Sequence, residues 1–445
     1  MVTNRVLPNP WNVFNLRSSP FWQDSLDDGD STHLLSLFVG RDKEIAQLLT
    51  GLYGAGESSS RRAIYGSPGI GKTTLVKQFK ARALVDGYLT TDSFVPLVAD
   101  ETSEGLFGRV LGAVYNTILA NRRATVDNPA MQAAQVLVRT ARERARGGGA
   151  SVLGAGVSVS QSVSATVPRD MLIDGPRVLR DLMTLVRQSD AQGILLHINN
   201  LENLTDADAD RAGTVLRDLR DPMLMHNGLH IIVVGTQGAI QATVLAYPQV
   251  RTTFTVLPLN PLDRREMRAL LEARYEHRRI DHDRPVIAPV EPRAVEALHD
   301  LFGGDLRGVL KALEDGVTPN IGLVPPRQGK GRSMSSVIRP LSLDELCPLL
   351  QQDYAQQLNA LPEEVRVTQL ATWGRTGADT LHTQKSLTRL WKVTQPAVSQ
   401  ALAFLMRQGY VMPLARQAGS PTQYALTGHS RLIFPWPAPR TAHSD

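Results

Sequence analysis

Two apolar rhythms alternate along this chain. Over residues 42–54 (DKEIAQLLTGLYG) the apolar positions fall three and four apart, which predicts an amphipathic helix. Similar helical patterns run through 105–123, 131–146, 176–188 and 208–220, and then through 260–279, 292–302 and 303–317. Between them lie short apolar runs that read as strands: 61–65 (RRAIY), 92–99 (DSFVPLVA), 193–199 (GILLHIN), 230–236 (HIIVVGT) and 253–259 (TFTVLPL). Strands alternating with helices over about 200 residues predict an α/β body with a largely parallel sheet flanked by helices.

Elsewhere the rhythm fails, and the failures divide the chain. Residues 1–37 are rich in Pro, Asn, Ser and Asp, carry neither period, and are expected to form an extended arm before the α/β body at 38–262. Inside that body, 147–168 (GGGASVLGAGVSVSQSVSATVP) opens on three glycines and then alternates small polar residues with Val. The segment suits either a flexible surface insertion or a β-hairpin projecting toward DNA or a neighbouring subunit. A helical lid is expected at 263–323. The run VPPRQGKGRSM marks a linker, bounded here at 324–339, before a second globular unit at 340–430 and a tail at 431–445.

Candidate chemistry begins at the end of the first strand. Gly66-Ser67-Pro68-Gly69-Ile70-Gly71-Lys72-Thr73 fits G-x-x-x-x-G-K-[ST] in full, with a strand before it and a helix after it. Glycines let backbone N–H groups turn inward around a β-phosphate, and the positive end of the following helix adds to the attraction. Lys72 is placed to reach the β/γ-phosphates and the Thr73 hydroxyl to coordinate Mg²⁺; Thr74 continues the same turn. ATP and Mg²⁺ are therefore the expected cofactors.

The second half of such a site departs from the chemistry it serves. An Asp at the end of the next core strand normally holds the metal, with an adjacent acid to polarise the attacking water. Here Asn199 and Asn200 stand at those positions, and the first carboxylate is Glu202. An amide still accepts a hydrogen bond from a metal-bound water, so Asn199 is a candidate for holding Mg²⁺ through water, but it supplies no charge. Glu202 is the candidate catalytic carboxylate, with Asp100 and Glu101 as alternatives from another strand. Nucleotide binding with slow or absent hydrolysis is the expectation.

A different texture marks the C-terminal unit. Residues 386–391 predict a short helix and Lys392-Val393 a turn. Thr394 then caps a second helix with Pro396 in its first turn. Val398, Leu402, Leu405 and Met406 line one face of that helix, leaving Gln395, Ser399, Gln400 and Arg407 outward. VMPL and TQYALT are expected as wing strands around a loop bearing Arg416, which completes a winged helix-turn-helix. Its outward polar residues suit base edges and phosphates, although winged helices also serve as protein–protein modules.

Composition narrows the class without naming it. The chain has 445 residues, 42% hydrophobic and 20% charged, the balance of a globular protein with two or three domains. Its net charge of +5 is unevenly placed, because residues 326–445 hold 13 Lys and Arg against 7 Asp and Glu, a net of +6. A basic C-terminal segment behind a near-neutral body suits an appended nucleic-acid module. Cys347 is the single cysteine, which excludes an internal disulfide and a Cys-built metal site. No secretory h-region opens the chain and no run of about 18 apolar residues follows, so a cytoplasmic protein without membrane contact is expected.

Phe38-Val39-Gly40-Arg41, the loop GSPGIGKTT, the strands ending at Asn199 and at HIIVVGT, and GGDLRGVLKAL occur in the order seen in AAA+ ATPases. Over about residues 38–430 the chain most resembles the origin-recognition and STAND-like branch, in which an ATPase module and helical lid precede a winged helix. The resemblance implies that Thr236 is the polar first sensor beside the γ-phosphate and that Arg307 is the lid arginine contacting nucleotide. It implies that Arg251 is the arginine finger completing a neighbour's site in a homo-oligomer, with Arg61, Arg62, Arg217 and Arg220 as rivals. The expected function is an ATP-binding switch that associates with DNA and regulates assembly or loading of an effector protein. The alternative is a STAND-like signalling or defence regulator whose winged helix makes protein contacts.

Overall fold

The computed structural model describes residues 9–23, 37–56, 58–91, 93–146, 170–199, 201, 204, 206–321, 339–377, 379–414 and 421–434. Helix α1 (Asp42–Tyr53) leads to β1 (Arg61–Tyr65) and α2 (Lys72–Val85). Two short strands, β2 (Leu89–Thr90) and β3 (Val95–Pro96), precede the long helices α3 (Ser103–Ala120), α4 (Pro129–Arg146) and α5 (Gly175–Gln188). Then come β4 (Ile194–Asn199), α6 (Asp206–Asp218), β5 (Leu229–Gly235), α7 (Gln237–Thr243), the single turn α8 (Pro248–Arg251) and β6 (Thr255–Pro258). The strands form one sheet in the order β2-β4-β5-β1-β6, with β3 also beside β4, and every pairing is parallel.

Alternation along the central strands sorts the side chains into two layers. Ile194, Leu196 and Ile198 of β4 face the core under α3, α4 and α5, whereas Leu195 faces the layer covered by α1 and α2. The same division separates Ile231 and Val233 from Ile232 and Val234 on β5. Both faces are buried, so the sheet's chemistry is confined to the ends of its strands.

The expected strand over 92–99 is shorter than the pattern suggests, and β2 precedes it unannounced. Pro96, the last residue of β3, pairs with Asn199. Helix α6 stops at Asp218, and a π-type turn, Arg220–Leu224, carries the chain past Pro222.

The lid consists of α9 (Arg264–Arg278), α10 (Pro292–Leu301) and α11 (Leu306–Val317). Asp263 and Glu266 form a reciprocal cap at the start of α9. Within the expected extended arm, the described residues 9–23 are docked on the lid. Pro10–Phe14 is a 3-10 turn, and Trp11, Phe14, Leu16 and Phe21 are buried in the lid core. Four large apolar side chains in fifteen residues are enough to dock a segment that has no period of its own. Arg274 is 6% exposed, donates to the Pro20 and Trp22 carbonyls and stacks 4.2 Å from the Trp22 ring centroid.

Beyond the linker, α12 (Leu343–Asn359) packs Leu346, Leu350 and Tyr354 into the lid core. The C-terminal core gathers α13 (Glu364–Arg375), β7 (His382–Thr383), α14 (Gln384–Trp391), α15 (Gln395–Arg407), β8 (Val411–Pro413) and β9 (Gln423–Leu426). Its sheet runs β7-β9-β8 and is antiparallel, the layout of a winged helix-turn-helix. Helix α16 (Gly428–Ile433) ends the unit, so residues 431–434, expected as tail, are packed: Leu432 lies in the lid core and Phe434 in the winged-helix core. The insertion at 147–168, residues 324–338 of the linker and the wing loop with Arg416 lie outside the described residues.

Candidate nucleotide site

The loop from Gly66 to Gly71 sits where β1 ends, beside the end of β5: Tyr65 pairs with Gly235, and Gly66 N–H donates to the Gly235 carbonyl at 3.4 Å. Gly66 is required here because a Cβ would stand 2.2 Å from Ile70 Cδ1 and 2.6 Å from the Leu259 carbonyl oxygen. Gly69 and Gly71 take φ of 78° and 92°, the left-handed region that turns successive amides toward one centre. Helix α2 starts directly at Lys72, so the positive end of its dipole lies at the loop. Lys72, 6% exposed, folds across the loop, and its Nζ donates to the carbonyls of Gly66 at 3.0 Å and Ser67 at 2.9 Å. Thr73 and Thr74 are half-buried on the first turn, Ser67 and Pro68 are exposed, and Ile70 is buried in the core under α1. A polyphosphate fits this arrangement of donors and one cation.

Asn199 ends β4, one strand removed from β1 across β5. Its backbone carbonyl accepts from Leu97 N–H at 3.0 Å. Its side chain is 8% exposed, and Oδ1 has no hydrogen-bond partner. A buried, unsatisfied acceptor costs about 1–3 kcal/mol, a penalty that a hydrated cation would relieve. Asn200 and Glu202 lie outside the described residues.

The alternative carboxylates are both engaged. Asp100, in a left-handed backbone conformation at φ 56°, pairs with Arg211. Glu101 is 3% exposed, accepts from the Val98 and Thr102 amides, and pairs with Arg109. Burial pushes its carboxyl up despite Arg109 and the two amides. These are fastenings of the turn into α3. Deeper in β4, His197 is held neutral, its imidazole pushed down to about 3 by burial and by the nearby charges of Lys80 and Lys77.

Thr236 caps α7, accepting from Ala239 N–H at 3.3 Å, and this role holds it at the end of β5 beside the loop. Arg251 ends α8 and is exposed. Its rivals are committed elsewhere. Arg61 donates to the Thr253 and Leu224 carbonyls and Arg62 lies against Gly51, while Arg217 pairs with Asp218 and Arg220 with Asp221. Arg307 is exposed on the first turn of α11.

Two contacts were not anticipated. Arg41, 5% exposed, donates to the Ile70 carbonyl at 3.3 Å and pairs with Glu44 at 3.1 Å. Asp305 caps α11 and lies directly on Gly69, where a Cβ would stand 1.7 Å from its Oδ1. The capping pattern of Asp305 is readable in GGDLRG; its approach to the phosphate loop is tertiary and has no local signal.

At the C-terminal unit, α14 joins α15 through Lys392 at φ 55°. Val398, Ala401, Leu402 and Leu405 are buried and Met406 half-buried, whereas Gln395, Ser399, Gln400 and Arg407 are exposed. Thr394 occupies the cap position without a side-chain capping bond, because Pro396 has removed one of the two N–H groups such a cap serves. Among the described residues, no cluster of three or more His, Cys, Asp and Glu is placed to hold a metal, and no helix is long and apolar enough to cross a membrane.

Comparison with known proteins agrees with the N-terminal half of this picture. The profile of the family described as AAA ATPase domain matches residues 37–234. No curated protein sequence matches the chain. Similar solved structures include Aeropyrum pernix ORC1 in complex with DNA, at TM-score 0.43 and 14% identity with 96% of each chain covered. Aeropyrum pernix ORC2, in its ADPNP-ADP complexes, gives TM-score 0.43 and 15% identity over 94% of this chain and 98% of its own. Cdc6p from Pyrobaculum aerophilum gives TM-score 0.40 and 13% identity over 95% and 97%. At such low identity no residue role crosses from them.

Proposed function

We propose, on the premise that residues 37–234 are an AAA ATPase domain, that this protein is an ATP-binding switch that turns nucleotide over slowly and associates with DNA through its winged helix. The observation that carries the reading is a complete phosphate loop together with a buried, neutral Asn199 whose Oδ1 is without a partner. The loop amides and Lys72 bind the polyphosphate. The Thr73 hydroxyl and, through water, Asn199 Oδ1 are the groups that would hold Mg²⁺, an ion that keeps several of its waters and needs few protein ligands. When bound, the metal neutralises charge on the β- and γ-phosphates. Binding needs only those attractions. Hydrolysis also needs a positioned carboxylate; Glu101 is buried against Arg109, and Glu202 lies outside the described residues.

Exposed Gln395, Ser399, Gln400 and Arg407 on α15 support contact with DNA, and the net +6 of residues 326–445 supports a salt-dependent share of that affinity. Exposed Arg251 supports a homo-oligomer in which it reaches a neighbour's nucleotide, and the assembly would regulate loading of an effector protein. One observation favours the STAND-like alternative: α16 packs on the lid, so the winged-helix unit already makes protein contacts. Titration calorimetry with ATP tests the central reading. Lys72→Ala should weaken binding at least about tenfold, roughly 1.4 kcal/mol, and unchanged affinity would remove the phosphate-loop assignment.

A further inference from the structure

Helix α9 holds its arginines in two kinds of setting. Arg264 pairs with Asp300, Arg268 with Glu296, and Arg279, just past its end, with Glu276. Arg274 and Arg278 are different. Both stack on Trp22 of the docked N-terminal segment, at 4.2 and 4.6 Å from the ring centroid, and neither forms an ion pair among the described residues. Arg274 is 6% exposed, and its Nη1 donates to the Trp22 and Pro20 carbonyls at 2.7 and 3.1 Å. The Nε atoms of Arg274 and Arg278 are buried without a hydrogen-bond partner. A third arginine completes the group: Arg17 N–H donates to the Arg278 carbonyl at 2.8 Å, and its Nη2 to the His277 carbonyl at 2.6 Å. Arg17 is exposed and Arg278 half-buried, so the cluster opens to solvent.

We propose that Arg17, Arg274 and Arg278 form a site for a phosphate group, presented by a free polyphosphate or by a nucleic-acid backbone. Three cations converge where the described groups that bond or stack with them are neutral: the Pro20, Trp22 and His277 carbonyls and the Trp22 indole. The strain of that arrangement shows in the guanidinium of Arg274, pushed down to about 10 by burial and by Arg278, and in that of Arg278, pushed down by burial and by Arg17. A buried charge without a counter-charge is costly, and an anion would relieve it. A multiply charged oxyanion suits three guanidinium groups better than a single carboxylate does, and a planar guanidinium can give it two parallel N–H bonds. The indole and the carbonyls hold the side chains in place before a ligand arrives, which lowers the ordering cost of binding. The cluster lies outside the phosphate loop and outside the winged helix, so it rests on neither reading. The rival occupants are the chain's own acids, Asp24, Asp27, Asp28 and Asp30, which follow Trp22 in the sequence.

Titration calorimetry with inorganic tripolyphosphate at low salt tests the site, in full-length Lys72→Ala so that the phosphate loop contributes little. Tripolyphosphate should bind there, and adding Arg17→Gln and Arg278→Gln together should weaken it at least about tenfold. Arg17→Gln alone, at an exposed position, should weaken it about threefold or more with the thermal midpoint unchanged, which separates a ligand contact from a loss of fold. A duplex oligonucleotide distinguishes the sources. If a backbone supplies the phosphate, Arg17→Gln/Arg278→Gln in the otherwise wild-type chain should bring the log–log salt slope about two units closer to zero, one for each cation removed. An unchanged slope with the tripolyphosphate effect intact assigns the site to a free polyphosphate. Absence of tripolyphosphate binding, or an affinity that both arginine substitutions leave unchanged, would overturn the proposal. So would binding that appears only once Asp24, Asp27, Asp28 and Asp30 are replaced by Asn, since the chain would then satisfy its own cations.

Discussion

Asn199→Asp is the perturbation that most directly probes why the site looks as it does. The two side chains have the same shape, and Asn199 is 8% exposed with Oδ1 unpartnered, so the new carboxylate enters without repacking. Two effects then compete. Without metal, a buried unpaired charge replaces a buried unpaired dipole, and the apo protein should lose about 1–3 kcal/mol of stability. With Mg²⁺ and ATP, the same charge faces a divalent cation, so the loss should be recovered and the metal held more firmly. If the missing charge is what slows the wild type, hydrolysis should rise about tenfold, roughly 1.4 kcal/mol off the barrier. The assay is phosphate release per subunit at saturating ATP for the wild type, Asn199→Asp and Glu202→Gln, with the thermal midpoint measured with and without Mg²⁺-ATP. Fast wild-type turnover that collapses in Glu202→Gln would refute the reasoning, because the catalytic carboxylate would then stand three residues beyond Asn199 and the site would be a working ATPase.

Other consequences are simpler. Arg251→Ala should leave ATP affinity within about twofold while lowering turnover in the oligomer; an equal loss at protein dilutions that hold monomer would remove the finger role. A chain ending near residue 335 should lose duplex DNA binding, and the full chain should show a log–log salt slope of about −3 to −4, for three or four phosphate contacts; binding that survives truncation would refute it. Acid should destabilise the fold through His197 and His230, whose imidazoles are held down to about 3 and about 4, chiefly by burial. Both are neutral when folded and take up protons near 6.5 when unfolded, so their contribution is complete above pH 6.5 and is lost as pH falls toward 4. His197→Gln should flatten that part of the pH–stability curve, and an unchanged curve would show that other groups set it.

What the sequence disclosed and what it hid follow from the range of the interactions involved. The phosphate loop is legible because its geometry is built from consecutive residues: Gly66, Gly69 and Gly71 are where the backbone needs room or a positive φ, and Lys72 and Thr73 follow at fixed offsets. The strands β4 and β5 are legible because both faces are buried, which forces a continuous apolar run. Their short neighbour β2 is invisible because two residues carry no period. The arm hides for another reason. Trp11, Phe14, Leu16 and Phe21 reach the lid core from an irregular path, and the packed lid helices supply the surface that makes them a unit. The same limit governs the site. Asn199 stands out as the wrong residue in a local pattern, so its neutrality is legible; that its oxygen is left without a partner is a property of the surrounding fold. Asp305 is the sharper case, because a residue that reads locally as a helix cap lies, through one tertiary contact, directly on Gly69 of the phosphate loop.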